Sequence, residues 1–280
     1  MGDDAALAGT IALGDLTVHR LGFGAMRLCG DYAWGRPRHR DNVHRVLQRA
    51  VDLGVNFIDT ADSYGPETNE VLIAAALYPY PTDLVIATKG GLLRPDRRSW
   101  VADGRPEHLR QAVEGSLKRL RLDRIDLYQF HAPDPEVAFA ESVGALADLQ
   151  RTGKIRHLGI SNVTVEQLDL ARGITSIVSV QNLYNLRDHT SDDVLAACER
   201  LRIAFLPWNP LGGKRGLKAF KVAKVAMRRA CTHQALSIAW LLTKSPFMLP
   251  IPGTRSLDHL EANVRAAALR LPPEDLADLV

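Results

Sequence analysis

Three cysteines among 280 residues are too few and too scattered to frame a fold. Cys29, Cys198 and Cys231 show neither metal-ligand spacing nor a disulfide pattern, which fits a reducing compartment. No apolar run reaches the roughly 20 residues that a membrane span requires. The opening stretch, MGDDAALAGT, is acidic and lacks the basic and apolar regions of a signal peptide, so a cytoplasmic location is expected. Charge of one sign is not in excess. With 35 Lys and Arg against 32 Asp and Glu, the net +3 offers no electrostatic reason to expect a nucleic-acid partner. Also missing is a Gly-x-Gly-x-x-Gly run after the first core strand, the mark of a dinucleotide-binding open sheet.

What is present is a soluble-type composition, 46% hydrophobic and 24% charged, long enough for one large core over residues 1–280. Thr10–Ala12 and Leu16–Val18 flank a Gly-Asp step and read as a short N-terminal β-hairpin. Apolar strands then alternate with helical patterns. The strands are Leu21–Met26, Val55–Ile58, Leu84–Thr88, Ile125–Phe130, His157–Ile160, Ile177–Val180, Ile203–Pro207 and Phe247–Ile251. Pro106 is placed at a helix start, and Thr164 as a cap. Eight such units with short connections require parallel strands and right-handed crossovers. They favour an α/β fold of the closed (β/α)8 TIM-barrel class over an open doubly wound sheet.

In such a barrel the C-terminal strand ends share one face. That face receives Asp59, Lys89, His131, Ser161, Asn162, Gln181 and Trp208, with Tyr64 close behind Asp59 in the stretch GVNFIDTADSYG. A tyrosine is a poor acid at neutral pH, and a nearby lysine is expected to lower its pKa. A carboxylate keeps the lysine charged and oriented, and a histidine can orient a carbonyl oxygen. Together they form a proton donor aimed at an oxygen that gains negative charge. No serine or cysteine is paired with a base. Asp59 and Asp62 raise hydrolysis or a metal as alternatives, but no matching ligand set stands at convincing positions.

The chain resembles the aldo/keto reductase family over nearly its whole length. The matching stretches are LGFGAMRL (21–28), GVNFIDTADSYG (54–65), LVIATKGG (84–91), DLYQFHAPD (126–134), GKIRHLGISN (153–162), VQNLYN (180–185), PWNPLGG (207–213) and LPIPGTRSLDHLEAN (249–263). The resemblance implies a (β/α)8 barrel that binds NADP(H), with NAD(H) as the second option, and reduces a small-molecule aldehyde or ketone by hydride transfer without metal. It implies Tyr64 as proton donor, Asp59 and Lys89 as its support, and His131 as the residue that orients the carbonyl oxygen. Ser161, Asn162 and Gln181 match residues that bond the nicotinamide carboxamide, and Trp208 replaces a frequent tyrosine that stacks on the ring. Pro210 and Leu211 belong to the loop beside the cofactor. Gly253, Thr254, Arg255, His259 and Asn263 match the segment that holds the adenosine end. Many members carry lysine at Gly253, and arginine or glutamine at His259. Arg255 can meet a 2′-phosphate with a bidentate fork, which favours NADPH.

The loop WGRPRHRD (34–41) and the runs at 76–91 and 180–186 resemble bacterial pyridoxal reductases and related uncharacterised oxidoreductases, making pyridoxal a candidate substrate. The chain ends soon after its last helix, and a relatively open pocket is expected between the loops at 28–38, 92–105 and Pro133. Arginines in the middle loop are compatible with an anionic substrate.

Other classes stay open. One is a non-catalytic nicotinamide-binding subunit, and another is a hydrolase or aldolase using Lys89 on the same barrel. Tyr32, Trp34 and Trp100 either wall the cleft or pack their loops. Lys214–Arg229 is basic, with Phe220, Ala223 and Met227 as the expected apolar face of a solvated helix rather than a nucleic-acid or membrane surface.

Overall fold

Short apolar runs bounded by helical patterns assemble into seven parallel strands in a computed structural model that describes residues 4–213 and 220–279. An antiparallel hairpin, β1 (Thr10–Leu13) and β2 (Leu16–His19), comes first. The sheet then contains β3 (Phe23–Gly24), β4 (Phe57–Asp59) and β5 (Val85–Gly90). A two-residue ladder, β6 (Leu92–Leu93) with β7 (Val101–Ala102), stiffens the loop that follows. The sheet resumes with β8 (Ile125–Phe130), β9 (Ile155–Ser161), β10 (Ile177–Leu183) and β11 (Ala204–Trp208). Its order is β3-β4-β5-β8-β9-β10-β11.

Helices α1 (Arg40–Asp52), α2 (Thr68–Leu77), α3 (Pro106–Leu120), α4 (Phe139–Arg151), α5 (Val165–Ile174) and α6 (Asp192–Leu201) return the chain between strands. Pro106 occupies the first turn of α3, where its missing N–H is harmless. Thr164 and Gln167 form a reciprocal capping box on α5.

The eighth expected strand, Phe247–Ile251, is not a regular one, yet it closes the barrel. On one side the Phe205 amide donates to Phe247 O at 2.8 Å, and the Leu249 amide donates to Phe205 O at 2.9 Å. On the other, the Gly22 amide donates to Pro250 O at 2.9 Å. Pro250 and Pro252 have no N–H to give, so the ladder is incomplete although both sheet edges are bridged.

The period of two along each strand sorts the residues. Ile58, Ile86 and Val180 point outward to the helices, while Phe57, Val85, Leu127, Leu206 and Leu249 fill the interior. Ile11, Leu13 and Val18 of the hairpin plug the bottom of this interior cluster. Further along the strands the inward positions turn polar, at Asp59 and Gln129 two residues beyond Phe57 and Leu127, and at Lys89 two beyond Ala87. β10 carries an irregularity between Ile177 and Ser179. It resets the phase, so that Val178 and Gln181 both face inward.

α7 (Phe220–Arg228) and α8 (His233–Lys244) lie between β11 and the closing segment, and α9 (Leu257–Arg265) and α10 (Pro273–Leu279) follow it. Of the basic run, Lys214–Leu217 and the next two residues lie outside the described residues. The apolar face of α7 differs from expectation. Val222, Val225 and Ala226 are buried, whereas Met227 is 79% exposed. Its cations are matched by the last helix: Arg228 meets Asp275 and Asp278, and Arg229 meets Asp275 and Glu274. Among the described residues no helix is long and apolar enough to cross a membrane.

Leu13 is fully buried in the plug. Leu13→Ala is expected to lower unfolding stability by about 2–5 kcal/mol, read by urea denaturation, through lost contacts and the cavity left behind.

Candidate active site

At the polar end of the interior, Lys89 projects from β5 into a fully buried position. Its ammonium donates to Asp59 Oδ2 at 2.7 Å, to the Thr60 carbonyl at 2.9 Å and to the Tyr64 hydroxyl at 3.3 Å. All three of its protons are thereby engaged. The other Asp59 oxygen accepts from Gln129 Nε2 at 3.0 Å and Gln181 Nε2 at 2.9 Å. A buried ion pair is tolerated only when its remaining valences are met in this way. Burial works against the Lys89 charge, but Asp59 and then Tyr64 hold its pKa above the ordinary lysine value. Gln129 was not among the residues expected at the site. Its signal was the period of two linking Leu127, Gln129 and His131.

Tyr64 lies in the turn after β4, 6% exposed, packed on Cys29 and Ala61. Lys89 Nζ sits 5.0 Å from its ring centroid. The turn depends on Gly65, whose φ is +78° and where an added Cβ would lie 2.6 Å from Cys29 Sγ. Lys89 pulls the Tyr64 pKa down, as expected, yet the net shift is upward. Burial raises it, and the opposing pull of Lys89 does not compensate. The phenol is consequently kept protonated at neutral pH.

His131 follows β8 directly, with its ring centroid 5.9 Å from that of Tyr64. Burial, reinforced by the Lys89 charge, pushes its pKa well below the ordinary histidine value. Nδ1 lies 3.3 Å from Ser63 Oγ. A serine hydroxyl that donates there leaves the ring proton on Nε2.

A cavity of about 1030 Å³ opens above this group. Asp59, Tyr64 and His131 line it, and Lys89 supports them from behind. Ser161, Asn162, Gln181 and Trp208 form its next wall, as expected. Gln181 lies within β10 rather than at its end. Asn162 has a left-handed φ of +59° and donates to the His131 carbonyl at 2.9 Å and to Ser161 Oγ at 3.0 Å. Its Oδ1 accepts from Trp208 Nε1 at 2.9 Å. The indole is therefore fixed by a bond of its own while 36% of it stays exposed.

Pro210 and Leu211 reach the same cavity, as do Gly253, Thr254, Arg255, His259 and Asn263. Gly253 is sterically required: an added Cβ would lie 2.1 Å from the Gly24 carbonyl, where the two closing segments meet. His259 and Asn263 stand one turn apart on α9, the first exposed and the second buried.

Among the loop aromatics only Trp100 enters the cavity, 6.3 Å from both the Tyr64 and the His131 ring centroids. Trp34 instead packs on Arg94. Asp62, without assigned chemistry in the sequence, is partly buried, and its Oδ1 is shielded from solvent without a hydrogen-bond partner. Burial, then the neighbouring Glu70 charge, raises its carboxyl pKa well above the usual range.

The model of the Aldo/keto reductase family matches residues 20–280. An uncharacterised oxidoreductase of Schizosaccharomyces pombe is 46% identical over 99% of this chain and 90% of its own length. Pyridoxine 4-dehydrogenase of Escherichia coli is 41% identical over 96% of each chain. A solved aldo/keto reductase of Klebsiella pneumoniae, in complex with NADP and acetate, superposes with a TM-score of 0.81 at 26% identity. That match covers 96% of this chain and 93% of the other.

The depressed pKa of His131 has a direct readout. Its ring resonances, followed by NMR, are expected to stay at their neutral positions as pH falls from 8 to 6. A free histidine titrates near 6.5 in that window.

Proposed function

The chain belongs to the aldo/keto reductase family, and from that premise we propose that it reduces an aromatic aldehyde, pyridoxal first among candidates, with Tyr64 as proton donor. Its general activity is that of an NADP(H)-dependent oxidoreductase acting on carbonyl compounds. The observation that carries the proposal is the Tyr64 phenol at the cavity floor, backed by the saturated Lys89–Asp59 pair.

The donor set suits NADP(H). The indole face of Trp208 and the polar atoms of Ser161 and Gln181 fit the nicotinamide end. Thr254, Arg255 and His259 gather hydroxyl, cationic and imidazole groups at the opposite rim, fit for the 2′-phosphate and adenosine. When bound, the cofactor supplies the hydride. The protein's part is positional and electrostatic. Tyr64 and His131 hold the substrate oxygen, Tyr64 from its hydroxyl and His131 from Nε2–H. As that oxygen becomes alkoxide-like, Tyr64 releases its proton to it, and the Lys89 ammonium stabilises the phenolate left behind. A raised phenol pKa does not oppose this step, because an alkoxide is the far stronger base. Asp59 keeps Lys89 charged, and Gln129 and Gln181 keep Asp59 ionised and oriented.

Pyridoxal follows from the likeness to pyridoxine 4-dehydrogenase, whose substrate and the proposed product are the same alcohol. Aromatic walls at Trp100 and Trp208 suit a flat ring. An aldolase reading is disfavoured by Lys89, whose charge and three hydrogen bonds leave no free amine for a Schiff base. The three thiols are free, which supports a cytoplasmic setting.

Two measurements test the proposal. Tyr64→Phe is expected to reduce kcat for pyridoxal reduction by about 10²–10⁴-fold, with the Kd for NADPH retained. A variant with wild-type turnover would remove Tyr64 from its role. Arg255→Ala should raise the KM for NADPH by about tenfold or more while moving that for NADH far less, as loss of a phosphate fork requires.

A further inference from the structure

A second cavity, of about 510 Å³, adjoins the first. The two share Met26, Arg27, Trp100 and Arg255, so they adjoin at the Trp100 indole. Its charge is one-sided. Arg27, Arg97, Arg98 and Arg255 line it against a single carboxylate, Asp31. Asp31 lies 3.5 Å from Arg255 and 4.0 Å from Arg97. Arg27 and Arg98 have no ion-pair partner among the described residues. Arginines gathered this way repel one another, and an exposed loop has no folding reason to collect them.

The walls are built rather than loose. Arg94, only 8% exposed, lies beneath the loop with its guanidinium 3.8 Å from the Trp100 ring centroid. It donates to the carbonyls of Tyr32, Ala33, Arg97 and Ser99 at 2.7 to 3.2 Å, tying both loops that frame the cavity. Asp96 accepts from the amides of Arg98 and Ser99 at 2.7 and 2.9 Å, which closes the turn carrying the two arginines. Tyr32 supports their guanidinium groups from its ring face, at 4.8 Å for Arg97 and 5.9 Å for Arg98. The cations are thus held at one side of the mouth that leads to Tyr64.

We propose that Arg27, Arg97 and Arg98 form an anion subsite for the distal end of the substrate, so that the enzyme prefers carbonyl compounds bearing a carboxylate or phosphate group. The inference rests on the general carbonyl-reductase reading rather than on pyridoxal, which carries neither group, and it narrows the substrate class. Trp100 separates the reacting carbonyl, at Tyr64 and His131, from the tail, at the arginines. Arg94 is a positioning residue for both walls. Arg255, 3.5 Å from Asp31, is left to the cofactor phosphate.

The test compares kcat/KM with saturating NADPH for 4-carboxybenzaldehyde, 4-formylphenyl phosphate and the neutral 4-methylbenzaldehyde. At least one anion should exceed the neutral aldehyde by about tenfold at low salt, and the ratio should shrink as ionic strength rises. In the double variant Arg97→Gln/Arg98→Gln the ratio should fall towards one, and in Arg97→Glu/Arg98→Glu below it. Whichever anion gains identifies the tail chemistry. A wild-type ratio near one overturns the proposal while the neutral aldehyde's reduction upholds the carbonyl-reductase reading. A ratio unchanged in both variants also overturns it. A rise in the KM for NADPH matching the loss would transfer these arginines to the cofactor, with the same result. Failure to reduce any of the three removes both readings.

Discussion

The ion pair between Lys89 and Asp59 is the constraint around which the upper barrel is arranged. Two opposite charges are placed where water does not reach, and neither survives there alone. Each remaining valence is therefore spoken for: Thr60 and Tyr64 take the other lysine protons, and Gln129 and Gln181 donate to the free carboxylate oxygen. Four different strands contribute to this group, so the barrel must close correctly before the pair can be satisfied. In return, the pair fixes Tyr64 against the floor of the cavity.

Closure and plugging come from opposite ends of the same interior. Below, Leu13 and Val18 of the hairpin pack on Phe57, Val85 and Leu127. Above, the inward positions turn polar, at Asp59, Gln129 and, beyond Ala87, Lys89. The change from oil-like to charged interior within one strand repeat explains how a dry base supports a polar mouth. It also gives the electrostatic interactions there a low-dielectric backing, which strengthens both the ion pair and the stabilisation of a phenolate. The glycine pair Gly24 and Gly253 brings the last segment against the first, and that side of the cavity rim is built on the close approach.

Charge outside the interior is handled in two contrasting ways. The cations of α7 that fall within the described residues are matched by Asp275 and Asp278, which turns a basic helix into a structural latch for the end of the chain. The arginines beside Trp100 are only partly matched, and the loops under them are tied down by Arg94. Pairing explains the first cluster, whereas the second is left with unspent charge at the substrate mouth.

Much was legible in the primary structure because strand ends and family stretches are local signals. The β/α alternation, the strand-end positions of Lys89 and His131, Tyr64 close behind Asp59 and the cap at Thr164 follow from order and spacing, whereas the expected role of 253–263 came from the family resemblance. Four matters did not. The apolar face of α7 was misassigned because Met227 and Val225 are equally apolar in sequence, and only packing distinguishes them. The inward aim of Gln181 depends on an irregularity in β10 that no side-chain period announces. Gln129 acquires its part only when Asp59 arrives from another strand. The Tyr64 pKa moves up because desolvation outweighs the attraction of Lys89, and that balance is set by burial in three dimensions. The sequence by itself determined which chemical groups reach the mouth of the barrel. Their depth, their partners and their protonation were decided by tertiary structure, since dielectric and distance exist only once the chain is folded.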